Sequence, residues 1–130
     1  GLVIVYRARN NVTSYGHFRN WMFLLQRLTG VIAVVFIGVH TYTTRISSVL
    51  FHHEVTFQTM SETLHHPFWF WFYAIGIVAA CFHFCNGIWS FLITWGITVG
   101  RQAQRVSSAA TMFGFVLMTT WGFAILLRFV

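Results

Sequence analysis

Three apolar segments, at about residues 21–46, 68–97 and 108–127, leave this 130-residue chain few ways to fold. A helix needs about 20 predominantly apolar residues to cross the hydrocarbon core of a bilayer. In hydrocarbon every backbone N–H and C=O must be satisfied internally, so a spanning segment is a helix or part of a closed barrel. None of the three shows the period-two alternation of a barrel strand, which leaves the helix. Composition agrees: 57% of residues are hydrophobic and only 8% charged, against about a quarter charged in a soluble domain. The predicted class is all-α, a transmembrane helical bundle forming one membrane domain over residues 1–130. The first two segments exceed the minimum length, which predicts tilt or helix continuing beyond the lipid. Pro67, the only proline, stands where the second helix should begin, a position where its missing N–H is of no consequence.

Charge gives an orientation. The net charge of +6 comes from eight Arg and no Lys, against Glu54 and Glu62 alone. Arg7, Arg9 and Arg19 precede the first span, and Arg101 and Arg105 join the second to the third. Residues 47–66 carry no Lys or Arg. The excess of positive charge on cytoplasmic loops then places residues 7–20 and 98–107 in the cytoplasm and 47–66 outside. Arg45 and Arg128, at outer helix ends, are minor exceptions. In a membrane chain this basicity reports topology, and no separate basic domain exists to hold a nucleic acid.

Two histidines lie inside spans, where an ionisable side chain is a functional-site hypothesis by default. His83 shares its helical face with Gly76, Ala79, Ala80, Asn86, Gly87 and Ser90, at about 100° per residue. Small residues there leave space that a flat macrocycle such as haem needs. They equally mark close packing of membrane helices, with the histidine hydrogen-bonded across the contact. His40 has a similar face, with Thr29, Ala33, Phe36, Ile37, Thr43, Thr44 and Ser47. At about 1.5 Å per residue, His40 lies about 9 Å from the outer end of its helix and His83 about 22 Å from the outer end of its own. Axial ligands of one haem meet at one iron, so these two histidines serve different sites.

Other candidates carry less. Arg27 suits a haem propionate or a quinone oxygen, because guanidinium binds such oxygens well; snorkelling to the interface serves as well. Trp89 and Trp95 suit either a ring-shaped cofactor or the interfacial aromatic belt. The pairs His52–His53 and His65–His66, with His17, fit interfacial contacts with headgroups or a partner subunit better than a metal cluster. Cys81 and Cys85 read as small apolar residues. The third span offers Met112 and Met118 but no compelling iron ligand. Gly1–Tyr6 is an apolar stub without the features of a signal peptide, and is expected to be the end of a helix that begins upstream.

The stretch FRNWMFLLQRLTG (18–30), with His40 in FIGVHTYTTR (36–45), resembles the cytochrome b558 membrane-anchor subunits of succinate dehydrogenase from Bacillus-type bacteria. FHFCNGIWSFLITWGIT (82–98) is similar to the same family, and Gln104-Arg105-Val106-Ser107 fits the start of its last helix. The resemblance covers essentially the whole chain. It implies a five-helix subunit with two b haems, each held by two axial histidines, of which this chain supplies three spans. His40 would match a ligand of the outer, low-potential haem and His83 one of the haem nearer the cytoplasm, their partner histidines lying on upstream helices. It further implies flavoprotein and iron–sulfur subunits docked on the cytoplasmic face, and electrons passed to a quinone, typically menaquinone. Neither a flavin site nor a succinate site is expected here. A quinol:fumarate reductase anchor would share this architecture, and a cofactor-free helical assembly or transport subunit is the alternative outside redox chemistry.

Overall fold

The computed structural model describes residues 18–52 and 54–130. The stub at residues 1–6, Arg7, Arg9, His17 and His53 lie outside the described residues. No strand occurs among the described residues, and three helices are long and apolar enough to cross a membrane.

Helix α1 runs without a break over Phe18–Phe51, 34 residues, or about 51 Å. It outruns the expected 21–46 at both ends, so part of it lies beyond a hydrocarbon core about 30 Å thick. Its regular stretch, Phe18–Thr41, passes through a π turn at Tyr42–Ile46 before resuming at Ser47–Phe51. Local chemistry accounts for the turn. The Thr44 hydroxyl donates to the His40 carbonyl at 2.6 Å, and Thr43 donates to Val39 at 2.9 Å and to His40 at 3.2 Å. Threonine hydroxyls bonded back to carbonyls one turn earlier compete with the helical ladder and bend it. The helix stops at His52, whose backbone is left-handed at φ 52°.

Residues 47–66, expected as a loop, are largely helical. A short helix α2, Phe57–Leu64, starts at a capping box. Thr59 N–H donates to Thr56 Oγ1 at 3.2 Å, and Thr56 N–H donates to Thr59 Oγ1 at 3.0 Å. That arrangement satisfies two otherwise orphaned donors. Leu64 is only 2% exposed and packs with Tyr73, Ala74 and Leu126. Ser61 Oγ donates to the Phe129 carbonyl at 2.6 Å, closing this end of the bundle.

Helix α3, Pro67–Thr94, begins with proline in its first turn, as expected, and His66 as N-cap, its Nδ1 accepting from Phe68 N–H at 3.3 Å. It ends three residues short of the expected 97, because Gly96 takes a left-handed φ of 68° that turns the chain back. Helix α4, Arg101–Leu126, starts seven residues before the expected 108. Gln102, Ala103, Gln104 and Arg105 are good helix formers and nothing after Gly100 interrupts them. The connecting loop therefore shrinks to residues 95–100.

Helix α3 lies in the middle and packs against both α1 and α4. The outer faces are apolar and open: Val34 is 74% exposed, Phe113 71% and Trp121 68%. Exposure of large apolar side chains on this scale marks a surface that meets lipid or protein. Arg19, Arg101 and Arg105 fall at one end of the bundle, the basic end; α2, Glu54 and Glu62 fall at the other.

Candidate functional site: two histidine levels between α1 and α3

Each spanning histidine is held across the α1–α3 contact, at a different level. His83 Nδ1 lies 3.0 Å from the Gln26 carbonyl oxygen, and Gln26 Nε2 donates back to the His83 carbonyl at 3.1 Å. A peptide carbonyl only accepts, so Nδ1 carries a proton, and in the neutral ring Nε2 then keeps its lone pair. Asn86 steadies the glutamine: its Nδ2 donates to Gln26 Oε1 at 2.7 Å and to the Met22 carbonyl at 3.2 Å. Interhelical hydrogen bonds in hydrocarbon contribute about 0.6 kcal/mol each on average, up to about 1.7. The ring packs into a notch at Gly30, where an added Cβ would stand 2.8 Å from His83 Cε1.

At the other level His40 Nδ1 lies 3.2 Å from the Tyr73 hydroxyl. Phe36 stacks on the imidazole at 5.8 Å between centroids, and Tyr73 meets it edge-on at 5.7 Å. Phe36 in turn fills the notch at Gly76, where an added Cβ would collide with its ring. Neither Nε2 has a hydrogen-bond partner among the described residues.

The two levels are well apart. Tyr73 and His83 are ten residues apart on α3, about 15 Å along its axis. Gln26 and His40 are fourteen apart on α1, about 21 Å. A nitrogen ligand sits about 2 Å from its metal, so the two rings cannot meet at one ion in this arrangement.

The space expected beside His83 is not there as a void. Gly76, Ala79 and Asn86 are buried, and α1 fills the small-residue face with Phe36 and Gln26. Small residues let two membrane helices approach closely, which serves packing first. What fits a haem iron is the donor chemistry: each ring has Nδ1 tied to an oxygen and Nε2 left over, the usual arrangement around a ligating histidine. Arg27 lies 4.0 Å over the Phe23 ring, and its Nη2 is buried without a partner among the described residues. Trp89 is buried against Phe18, 6.4 Å between ring centroids, whereas Trp95 is 72% exposed. Cys81 and Cys85 are free thiols, Cys85 Sγ lying 4.0 Å from Met118 Sδ. His65 Nδ1 lies 2.7 Å from the Ser61 carbonyl oxygen. With His66 capping α3 and His52 ending α1, these outer histidines shape the chain. No group of three or more metal-binding side chains occurs among the described residues.

Tyr73 and Gly30 are parts of the arrangement that the sequence did not single out. Tyr73 stands in the run FWFWFYA, where an aromatic is expected at an interface regardless. A polar partner for His40 at the facing level was the signal available.

The family model for the succinate dehydrogenase/fumarate reductase transmembrane subunit matches residues 6–125. The chain belongs to that family. It is 41% identical over 130 residues to the succinate dehydrogenase cytochrome b558 subunit of Bacillus subtilis (strain 168), covering all of this chain and 64% of that one. It thus spans just under two thirds of that relative's length. It is also 29% identical over 116 residues to the succinate dehydrogenase hydrophobic membrane anchor subunit of Thermoplasma acidophilum, covering 88% of each. No solved structure matches. Family membership and the three apolar helices agree on a transmembrane subunit, in line with the predicted helical bundle.

Proposed function

We propose that this chain is the haem b-binding membrane anchor of a succinate:quinone oxidoreductase, with His40 and His83 each giving one axial ligand to a different haem. The observation that carries the reading is the geometry shared by the two rings, each with Nδ1 at hydrogen-bond distance from an oxygen and Nε2 without a partner among the described residues, on two levels of one helix pair. Family membership and the b558 name of the Bacillus relative support it. When bound, haem supplies a one-electron carrier within the hydrocarbon, its potential set by ligands and surroundings.

The residues of the chain hold and tune. The Gln26 carbonyl and the Gly30 notch orient His83; Tyr73 and Phe36 orient His40. Arg27 is half-buried, and its Nη2, without a partner among the described residues, is left over for a haem propionate or quinone oxygen. The basic end faces the cytoplasm, where flavoprotein and iron–sulfur subunits dock, and the quinone is menaquinone. A path between two levels crosses part of the membrane field. One elementary charge carried the whole way corresponds to about 2.3 kcal/mol per 100 mV. The family description also includes fumarate reductase, and the same geometry serves an anchor running in that direction.

The deciding measurement is the dithionite-reduced visible spectrum of the intact complex. Two b-type haems per chain are expected; a purified, assembled complex without them would leave His40 and His83 as helix bridges only.

A finer expectation concerns Tyr73. An acceptor on Nδ1–H raises the basicity of the ligating nitrogen and favours ferric iron. Tyr73→Phe removes that acceptor, so the midpoint potential of one haem rises by roughly 30–60 mV, a threefold-to-tenfold shift in its reduction equilibrium. The other haem is unmoved. Potentiometric titration reads both in one experiment.

A further inference from the structure

An open groove of about 540 Å³ lies at the basic end, between the start of α1 and the first turns of α4. Arg19, Arg101 and Arg105 stand on it, with Phe18, Trp89 and Met112 forming its apolar wall. Within the chain these charges have no carboxylate to meet at this end, because its only acidic residues, Glu54 and Glu62, belong to the opposite one. The Arg19 guanidinium donates to Gln104 Oε1 instead, and Gln104 Nε2 donates to the Thr98 carbonyl at 3.2 Å. One arginine is therefore held in place by neutral partners, with its charge unneutralised. A second feature borders the same groove. Trp89 is only 9% exposed, and its Nε1–H is buried with no acceptor among the described residues.

We infer that this groove binds an acidic phospholipid through its phosphate. Three guanidiniums match the charge, and guanidinium is well suited to phosphate oxygens. The apolar wall suits acyl chains and has no use for a soluble anion. It runs through Met112 into the open face of α4 one turn on, where Val116 is 54% exposed. Basic pockets between membrane helices on the cytoplasmic side are a recognised setting for anionic headgroups. The assignment is independent of haem, and holds or fails whichever way the histidines are decided.

The test uses the intact complex with its partner subunits, delipidated in mild detergent. It is titrated with phosphatidylglycerol, phosphatidylcholine or inorganic phosphate, and bound lipid is counted by native mass spectrometry. One phosphatidylglycerol per chain is expected, held at least about tenfold more tightly than phosphatidylcholine. The double variant Arg101→Ala/Arg105→Ala binds it about thirtyfold more weakly, as expected for two arginines near a membrane surface. Arg101→Lys/Arg105→Lys keeps most of the binding, which separates lost charge from misfolding. Arg128→Ala, at the other end, changes nothing. Undiminished binding in the alanine variant overturns the site. Displacement of the lipid by equimolar inorganic phosphate makes it a bare anion site, and overturns the lipid assignment. So does release of the partner subunits with lipid retained, which would turn these arginines towards an acidic protein surface.

Discussion

His83→Ala removes one haem b from the intact complex and leaves the other, and His40→Ala does the reverse. The expectation follows from the two levels. The rings are separated by about 15–21 Å along the helices, and each has its own support, Gln26 for one and Tyr73 for the other. Disturbing outer-shell partners of a ligating histidine commonly costs 10–100-fold in metal affinity. Removing the ligand itself costs more, so haem content should fall to about half in each variant. Alanine also deletes an interhelical hydrogen bond, so part of any loss could be structural. Added imidazole separates the causes: it refills a ligand-sized hole and restores the missing spectrum, but it does not mend a disrupted helix contact. Loss of the same haem from both variants would sink the two-site assignment. Unchanged haem in both would move the ligands elsewhere and leave these histidines as packing groups.

Gly30→Val abolishes the His83 site without touching either histidine. An ideal Cβ at Gly30 stands 2.8 Å from His83 Cε1 and 3.1 Å from Nδ1. Even alanine is therefore too close, and valine adds two further carbons on a stiff side chain. The ring must leave the notch, and with it goes the bond from Nδ1 to the Gln26 carbonyl. The haem at this level should be lost or lose its low-spin signal, with the other unaffected, as electron paramagnetic resonance would show. Gly38→Val is the control: it makes the same change on the same helix, where nothing lies within 4 Å of the added Cβ. Haem retained in both variants would mean that the notch holds nothing in place, and haem lost from both would mean that α1 is sensitive to bulk at either position.

Much of the fold was legible because the forces that build it act along the chain. Apolar length fixed three spans, and Pro67 marked the start of α3. The boundaries drifted where local chemistry overrides hydropathy. Arg101–Arg105 read as loop because they are polar, yet they are good helix formers with no breaker among them, so α4 runs through them. Residues 47–66 read as loop for the same reason, and the capping pair Thr56 and Thr59 makes helix there. His40 and His83 stood out as ionisable groups at depth. Their supports did not, because a hydrogen bond between α1 and α3 is a fact about register. No periodicity within one helix states which residue of another will face it. The small face of α3 shows the same limit: it could be read as space or as contact, and the structure spends it on contact with α1.

The paired bonds between Gln26 and His83 act as a datum from which the rest of the helix pair is measured. They pin α1 to α3 at one height, and everything above is set out by residue count. Deleting one residue between positions 27 and 39 would draw His40 down by about 1.5 Å and swing it about 100° around α1, away from Tyr73. The same deletion beyond Phe51 would disturb neither histidine. The spacing between the two levels is thus a fixed length written in integers, and evolution can alter it only in steps that also rotate one end.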